Sequence, residues 1–310
     1  MLLLAAFAAG VSSAGSDDAS AAAGNGRITI INQRGAATDR PTGISTIDRR
    51  GRLHVLKRCN PGQGPSCYSL ESIDWAPDGR RLAFSVTTIT TINTYNGLHI
   101  LNTRTGRDRH LPRDGFDIDW SLDGSRFAYV EFTQFPNPIG TIYIVRADGS
   151  GRTRVPTGSA GHDASPSWSP AGKRLAYETN AASEYSARLR DRFVWVVGVD
   201  GKDRHLVARN AADPAWSPNG RMIAYRASCG IKLVTPAGRD VTPPTGARRC
   251  RNIGVAGQPV WSPDGRKIAV GNRRGVYVMD ADGSNLSKLT SVNPTGMFGF
   301  SRPTWQPLPH

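Results

Sequence analysis

The chain is 310 residues long and 38% hydrophobic, with seven Trp, and Gly and Pro together supply 55 residues; such a chain turns often yet can fill a core, which excludes general disorder, a collagen-like fibre and a bundle of long helices. Its formal net charge of +14 arises from 39 Lys plus Arg, only six of them Lys, against 25 Asp plus Glu. The surface therefore attracts anions in general without specifying one. No apolar run reaches the roughly 18 residues of a membrane-spanning helix, so no transmembrane span is expected.

Residues 1–25 open with an apolar run, Leu2 to Val11, followed by the small residues Ser12, Ser13 and Ala14. This is the pattern of a signal peptide cleaved after Ala14, although the basic residues that usually precede the apolar run are missing. The expectation is an exported protein, secreted or held in the cell envelope (periplasm), with 1–25 as leader and flexible tail. An intracellular scaffold is the alternative. Four Cys, an even number, fit an oxidising compartment.

After the leader come three short apolar runs, Ile28 to Ile31, Ile44 to Asp48 and Leu53 to Leu56. A motif then recurs: Ile73-Asp74-Trp75-Ala76-Pro77-Asp78-Gly79, Ile118-Asp119-Trp120-Ser121-Leu122-Asp123-Gly124, Pro166-Ser167-Trp168-Ser169-Pro170-Ala171-Gly172, Pro214-Ala215-Trp216-Ser217-Pro218-Asn219-Gly220 and Pro259-Val260-Trp261-Ser262-Pro263-Asp264-Gly265, with a broken sixth copy at Pro303-Thr304-Trp305-Gln306-Pro307. The Trp residues are 45, 48, 48, 45 and 44 positions apart, the period of a four-stranded propeller blade. Each full copy leads into a second strand such as Arg81 to Phe84 or Arg174 to Tyr177, then a third such as Leu98 to Leu101 or Val194 to Val197. Asp-Gly turns (Asp148-Gly149, Asp200-Gly201, Asp282-Gly283) predict a fourth, outer strand, for which His110-Leu111, His205 to Val207 and Lys288-Leu289 are placed. The first three runs have no Trp strand of their own. Trp305 is expected to supply it and to close the ring, leaving no open sheet edge.

These residues resemble the six-bladed TolB-like propeller family, whose repeat runs Pro-x-Trp-Ser-Pro-Asp-Gly followed by basic residues and Ile-Ala-Phe. The resemblance covers residues 26–310 and implies an all-β fold: one six-bladed β-propeller of four-stranded blades, with inner strands that begin at Pro166, Pro214, Pro259 and Pro303. The family's namesake carries a further amino-terminal α/β domain, for which these 310 residues leave no room. Its colicin and outer-membrane partnership is therefore not carried over. Neither is the peptidase of relatives with an α/β-hydrolase domain, because no Gly-x-Ser-x-Gly elbow is present.

Propeller topology puts the turns between strands 1 and 2 and between strands 3 and 4 on one face, all of them short. The other face receives Asn32 to Gly43, Val86 to Gly97, Glu131 to Gly140 and Glu178 to Arg192, read as long, unlike loops with aromatics at Tyr95, Phe132, Phe135 and Tyr185; such loops carry function on rigid scaffolds or are slack insertions. Three residues before each Trp, at the channel mouth, stand Ser72, Asp117, Ser165, Asp213, Gln258 and Arg302. They form a ring suited to a small polar ligand, a cation or a peptide terminus, or a merely wet channel. Of the six His, only His162, beside Asp163, reaches that face, as an acid/base pair or, more simply, a lone solvated His. No metal-ligand set, cofactor or catalytic group is identified. Arg80, Arg81, Arg126, Lys173, Arg174, Arg221, Arg266 and Lys267 follow the hairpin glycines and should ring the short-turn face, partly neutralised by Asp78, Asp123 and Asp264. Placement pairs Cys59 with Cys67, around the loop between blades 1 and 2, and Cys229 with Cys250, across the loops of blade 5.

The functional expectation is an exported, non-catalytic, monomeric propeller that binds a protein, peptide or acidic envelope polymer through its long-loop face and channel mouth. The alternative is a carbohydrate-active or ester-cleaving enzyme working at that mouth, since a fold does not fix a function. Nucleic acid is not expected as a partner, because neither an RNA-binding motif nor a stacking sheet is visible.

Overall fold

A computed structural model describes residues 25–33, 41–48, 50–58, 70–89, 94–111, 113–132, 139–159, 161–180, 189–228, 230–243, 257–272, 274–292 and 302–308. Their strands form six antiparallel sheets around one axis. Blade 1 joins β1 (Ile28–Gln33), β2 (Pro41–Ile47) and β3 (Leu53–Arg58) to the last strand, β23 (Thr304–Trp305). Blade 2 is β4 (Leu70–Trp75), β5 (Arg81–Ile89), β6 (Thr94–Asn102) and β7 (Asp108–Leu111). Blade 3 is β8 (Phe116–Trp120), β9 (Arg126–Phe132), β10 (Gly140–Arg146) and β11 (Thr153–Arg154), and blade 4 is β12 (His162–Trp168), β13 (Arg174–Asn180), β14 (Arg192–Gly198) and β15 (His205–Arg209). Blade 5 has three strands, β16 (Ala211–Trp216), β17 (Ile223–Ala227) and β18 (Gly230–Val234); a single bridge from Val234 to Asp240 stands where the fourth would lie. Blade 6 is β19 (Pro259–Trp261), β20 (Lys267–Asn272), β21 (Gly275–Asp280) and β22 (Ser287–Thr290).

The repeat makes each blade for a local reason. In the Trp-Ser-Leu-Asp-Gly copy, Ser121 Oγ donates to Asp123 Oδ1 (2.6 Å) and accepts from the Arg126 amide (3.1 Å), while Gly124 N donates to Ser121 O (2.8 Å) at φ 66°. Ser262, Asp264, Gly265 and Lys267 repeat these bonds in blade 6. Glycine takes that left-handed position at least cost, so the hairpin is fixed at one length and the register between the first and second strands of the blade follows.

The core is divided among the interfaces between blades. Six buried clusters lie one per pair of neighbours, and the repeat Trp of each blade packs back on the blade before it: Trp75 with Ile31 and Ile44, Trp120 with Ala76 and Leu98, Trp216 with Val194 and Val196. Closure works as expected, since Ile28 pairs with Trp305 and Thr29 with Thr304. Trp75 Nε1 adds a 2.8 Å bond to Thr29 Oγ1, and Gln306 N donates to Arg27 O at 2.9 Å. A ring closed in this way exposes no lateral edge at its seam.

The inner strands differ from expectation at proline. β12 and β16 begin upstream of Pro166 and Pro214, and each register slips there, between Ala164 and Ser167 and between Ala212 and Ala215. The prolines occupy bulge positions, where the ladder asks for no amide donor. Only β19 starts at its proline, and β23 starts one residue after Pro303.

Candidate functional site: the channel mouth

The same bulges build the mouth. Asp117, Ser165 and Asp213 adopt φ of 53°, 48° and 53°, a left-handed backbone that ordinary residues avoid and that persists where packing dictates it. The turn aims three consecutive side chains at one another across blade boundaries. Ser165 N and Oγ donate to Asp117 Oδ2 (3.1 and 3.5 Å), Ser165 Oγ also reaches Asp213 Oδ1 (3.3 Å), and Gln258 Nε2 donates to Asp213 Oδ1 (3.0 Å). Ser72 shares its hydroxyl with Ser85 (2.9 Å) and accepts from Ile118 N (3.4 Å). With Arg302 and Glu71, Ser72, Asp117, Ser165 and Gln258 line a small depression with room for a few waters. Five of the six residues expected at the mouth line it, while Asp213 stands behind them, bonded to Ser165 and Gln258.

Below this tier lies a second, formed by the residue just before each Trp. Asp74 Oδ2 accepts from Trp120 N (2.8 Å), Asp119 Oδ2 from Trp168 N (2.8 Å) and Ser167 Oγ from Trp216 N (2.9 Å). Thr304 Oγ1 donates back to Asp74 Oδ1 at 2.9 Å. The inner strands from β23 through β4, β8 and β12 to β16 are thereby each fastened to the next. Arg302 ties the tiers together: its guanidinium, 14% exposed, donates to Asp119 Oδ1 at 2.7 Å and lies 3.9 Å from Asp74 Oδ1.

A further ion network escaped the sequence reading. Glu178 accepts from Arg192 Nη1 (2.6 Å) and from Asp213 N (3.0 Å), and Arg226 Nε donates to Asp213. Glu178, Arg192 and Asp213 are buried. Cross-strand counting would have found two of them, because Glu178 pairs with Ala164 and Arg226 with Ala212, directly beside the two bulges.

Electrostatics sort these carboxylates. Burial, reinforced by the neighbouring Asp119 charge, pushes Asp74 up to about 7 against the opposing pull of Arg302. Burial and then Asp213 raise Glu178 to about 7, opposed by Arg192. Asp119 and Asp117 are also raised, chiefly by burial. Burial acts on Asp213 in the same sense, but Arg226, with Arg192 and Gln258, outweighs it and holds the group below the ordinary range. Asp213 and Arg302 thus serve as internal counter-ions. Asp117, half-buried, lines the depression together with the half-buried Glu71.

Several other expectations change. In three of the stretches read as loops, the described ends extend the hairpin ladder: Val86 pairs with Gly97 and Ile89 with Thr94, Glu131 with Thr141 and Phe132 with Gly140, Glu178 with Val194 and Asn180 with Arg192. The first is shortened too, since Asn32 pairs with Gly43 and Gln33 with Pro41. Tyr95 lies in β6, while Phe135 and Tyr185 lie outside the described residues. His162 is buried rather than solvated, beside the Phe132 ring at 6.5 Å. Desolvation lowers its pKa although Asp163 opposes this, and Asp163 is committed to Thr157 Oγ1 (2.5 Å) and Thr179 Oγ1 (2.9 Å). All four cysteines, Cys59, Cys67, Cys229 and Cys250, lie outside the described residues.

On the short-turn face, several basic residues fasten blades together. Arg81 pairs with Asp78 (2.6 Å) and lies over the Trp120 ring of the next blade, and Arg126 lies over Trp168 and donates to Gly172 O at 3.0 Å. Arg174 faces Asp203 and Lys267 faces Asp280. Arg80, Lys173, Arg221 and Arg266 remain exposed. Among the described residues no helix is long and apolar enough to cross a membrane, and no group of three or more His, Cys, Asp or Glu is arranged to hold a metal ion.

No family model matches the chain. Over 104 residues it is 36% identical to the protein TolB homolog of Chlorobium luteolum, a stretch that is 33% of this chain and 22% of that protein; the chain thus matches well under half of this curated relative's length. Among solved structures, TolB from Acinetobacter baumannii superposes with a TM-score of 0.63 at 17% identity over 91% of this chain and 67% of its own. Putative TolB from Agrobacterium tumefaciens gives 0.62 at 18% over 92% and 99%, and a chain of the Nidogen/Laminin complex gives 0.62 at 12% over 91% and 98%. Taken with the Trp-Ser-Pro-Asp-Gly repeat and the closure through Trp305, these similarities give the chain the fold of a six-bladed β-propeller, similar to that of TolB.

Proposed function

We propose that the protein is an exported, non-catalytic, monomeric propeller that binds a protein or peptide, or an acidic envelope polymer, through the channel mouth and the face around it. The observation that carries this reading is the mouth: a polar depression on the axis, ringed by side chains from different blades and edged by the half-buried Asp117 carboxylate. On the same face Phe132 and Ile139 are 40% and 41% exposed, apolar footing of the kind that protein interfaces use. A chain of similar fold taking part in the Nidogen/Laminin complex supports a protein partner, and the leader-like segment supports export.

The test is capture of the partner from an envelope fraction, followed by titration against wild type and Asp117→Asn. The variant keeps the shape and can keep the bond from Ser165 N while removing the charge. A several-fold loss of affinity with unchanged melting is expected; equal affinity overturns the mouth as the binding site.

A further inference from the structure

One short turn breaks the repeat on the face opposite the mouth. The position after Trp-Ser holds Pro77 in blade 2 (after Trp-Ala), Pro170 in blade 4, Pro218 in blade 5 and Pro263 in blade 6, but Leu122 in blade 3. Three of these prolines lie over the next turn's glycine: a Cβ placed on Gly124, Gly220 or Gly265 would meet Pro77, Pro170 or Pro218 at 3.5, 3.7 and 3.6 Å. Around Gly172, where Leu122 would be the counterpart, the neighbour is Arg126. Leu122 is left 52% exposed, more than any other large hydrophobic among the described residues.

The turns on either side of it are basic. Arg80 O accepts from Thr103 N (2.9 Å), which sets the turn bearing Arg104 and Arg107 beside the blade 2 hairpin. Ala147 N donates to Ser125 O (2.8 Å), and Arg109 Nη2 reaches across from blade 2 to Ala147 O (2.5 Å), which brings the Arg146 turn alongside the Leu122 turn. Arg80, Arg104, Arg107, Arg109 and Arg146 are all exposed. The acids nearby are Asp78, paired with Arg81, Asp108, paired with Lys57 and His99, and Asp123 and Asp148, each accepting from serine neighbours in its own turn. Asp123 and Asp148 are exposed, so five exposed arginines stand here against two exposed acids, whereas blade 6 sets one exposed arginine, Arg266, against exposed Asp264 and Asp282.

We propose that the short-turn face of blades 2 and 3 docks on an anionic phospholipid leaflet, with Leu122 entering the headgroup–acyl boundary and the surrounding arginines meeting lipid phosphates. Arginine's planar fork suits phosphate oxygens, and cations near an anionic leaflet each add attraction. Leu122 selects the lipid over a soluble polyanion, because phosphates alone give an apolar side chain nothing to enter, whereas an interface does. The ring would then present its mouth away from the membrane.

The full chain is spun with vesicles of phosphatidylcholine alone or with about one-third phosphatidylglycerol, at physiological salt. Wild type should sediment with the anionic vesicles and not with the neutral ones. Leu122→Pro restores the residue that other blades carry, so the fold is kept, and should weaken partition about tenfold. Arg104→Glu with Arg107→Glu should weaken it at least tenfold, and Arg266→Glu on blade 6 should leave it unchanged. Each variant's melting temperature is checked against wild type. Failure of wild type to sediment overturns the proposal. So does an undiminished Leu122→Pro variant that soluble polyphosphate strips from the vesicles, which would make this a generic polyanion surface. Retention of every variant on both vesicle types would place binding in the apolar run Leu2 to Val11 and overturn it as well.

Discussion

Arg302, Arg226 and Arg192 at the channel mouth and Arg80, Arg221 and Arg266 on the short-turn face are the same side chain in two solvents. At the mouth each guanidinium is enclosed and committed to a buried carboxylate, Asp119, Asp213 or Glu178. On the turns the side chains stand in water, a solvent that screens their charge within about 8 Å at physiological ionic strength. Net charge alone cannot separate the two groups. The first maintains the packing of inner strands, while the second is free to meet something outside the molecule, and the two should respond very differently to deletion, pH and salt.

The largest effect should come from removing residues 304–310. That deletes β23, the Thr304 bond to Asp74 and the Trp305 contact with blade 6 in one step, and blades 1 and 6 both lose their shared closure. Loss of the cooperative thermal transition is expected; unchanged melting would show that the ring does not depend on its seam. Next in size is Arg302→Ala. It leaves Asp119 and Asp74 buried without their cation, a change that typically destabilises by about 3–5 kcal/mol. Adding Asp119→Asn to it should recover much of the loss, which denaturant unfolding can measure, whereas a mere cavity would gain nothing from the second change.

The pH dependence sharpens the contrast further. Asp74 and Glu178 titrate near 7 in the folded state against about 4 when unfolded. Between those values the folded protein holds protons that the unfolded chain has lost, so stability declines as pH rises from about 4 to 7 and levels off above. Surface carboxylates such as Asp123, lowered by hydrogen bonds from Ser121 and Ser125, act oppositely and only at more acid pH. Melting should therefore rise from pH 7.5 to 5.5, on the order of 1 kcal/mol per pH unit at most for each group, and Asp74→Asn should flatten the slope. A melting temperature that falls over this range would mean that both carboxylates are ionised in the fold.

The blades, their order and the closing strand were legible because each copy of the repeat encodes its own turn: serine, aspartate and glycine make bonds to residues at most five positions away. The polar ring was legible for the same reason, by counting back three from each Trp. The bulges were not, since Asp117, Ser165 and Asp213 carry a backbone angle that no residue type announces, and the prolines beside them invited the reading of a strand start. Nor were the partners of Asp213. Glu178 and Arg226 reach it only once β12, β13, β16 and β17 are laid side by side, and Arg302 meets Asp119 across a separation of 183 residues. The surroundings of His162 were not legible either, since the Phe132 ring beside it comes from the neighbouring blade.

The smallest effect should belong to Arg80→Ala combined with Arg266→Ala. Both side chains are exposed, and neither is paired at salt-bridge distance with an acid in its turn; Asp78 and Asp264 instead accept from their backbone amides, at 2.8 and 3.0 Å. Those bonds survive truncation to alanine, so the hairpins keep their geometry. Exposed charges of this kind contribute about 0–1 kcal/mol, and the change in unfolding free energy should stay within about 0.5 kcal/mol. Affinity for a partner held at the mouth should also hold, and should vary little with salt, because the enclosed ion pairs there are screened far less than surface charges. Titration of the captured partner at low and physiological salt measures both quantities. If the double variant loses that binding while Asp117→Asn retains it, and wild-type affinity collapses as salt rises, the partner is held by the turn face, and the buried arginines of the mouth serve the ring alone.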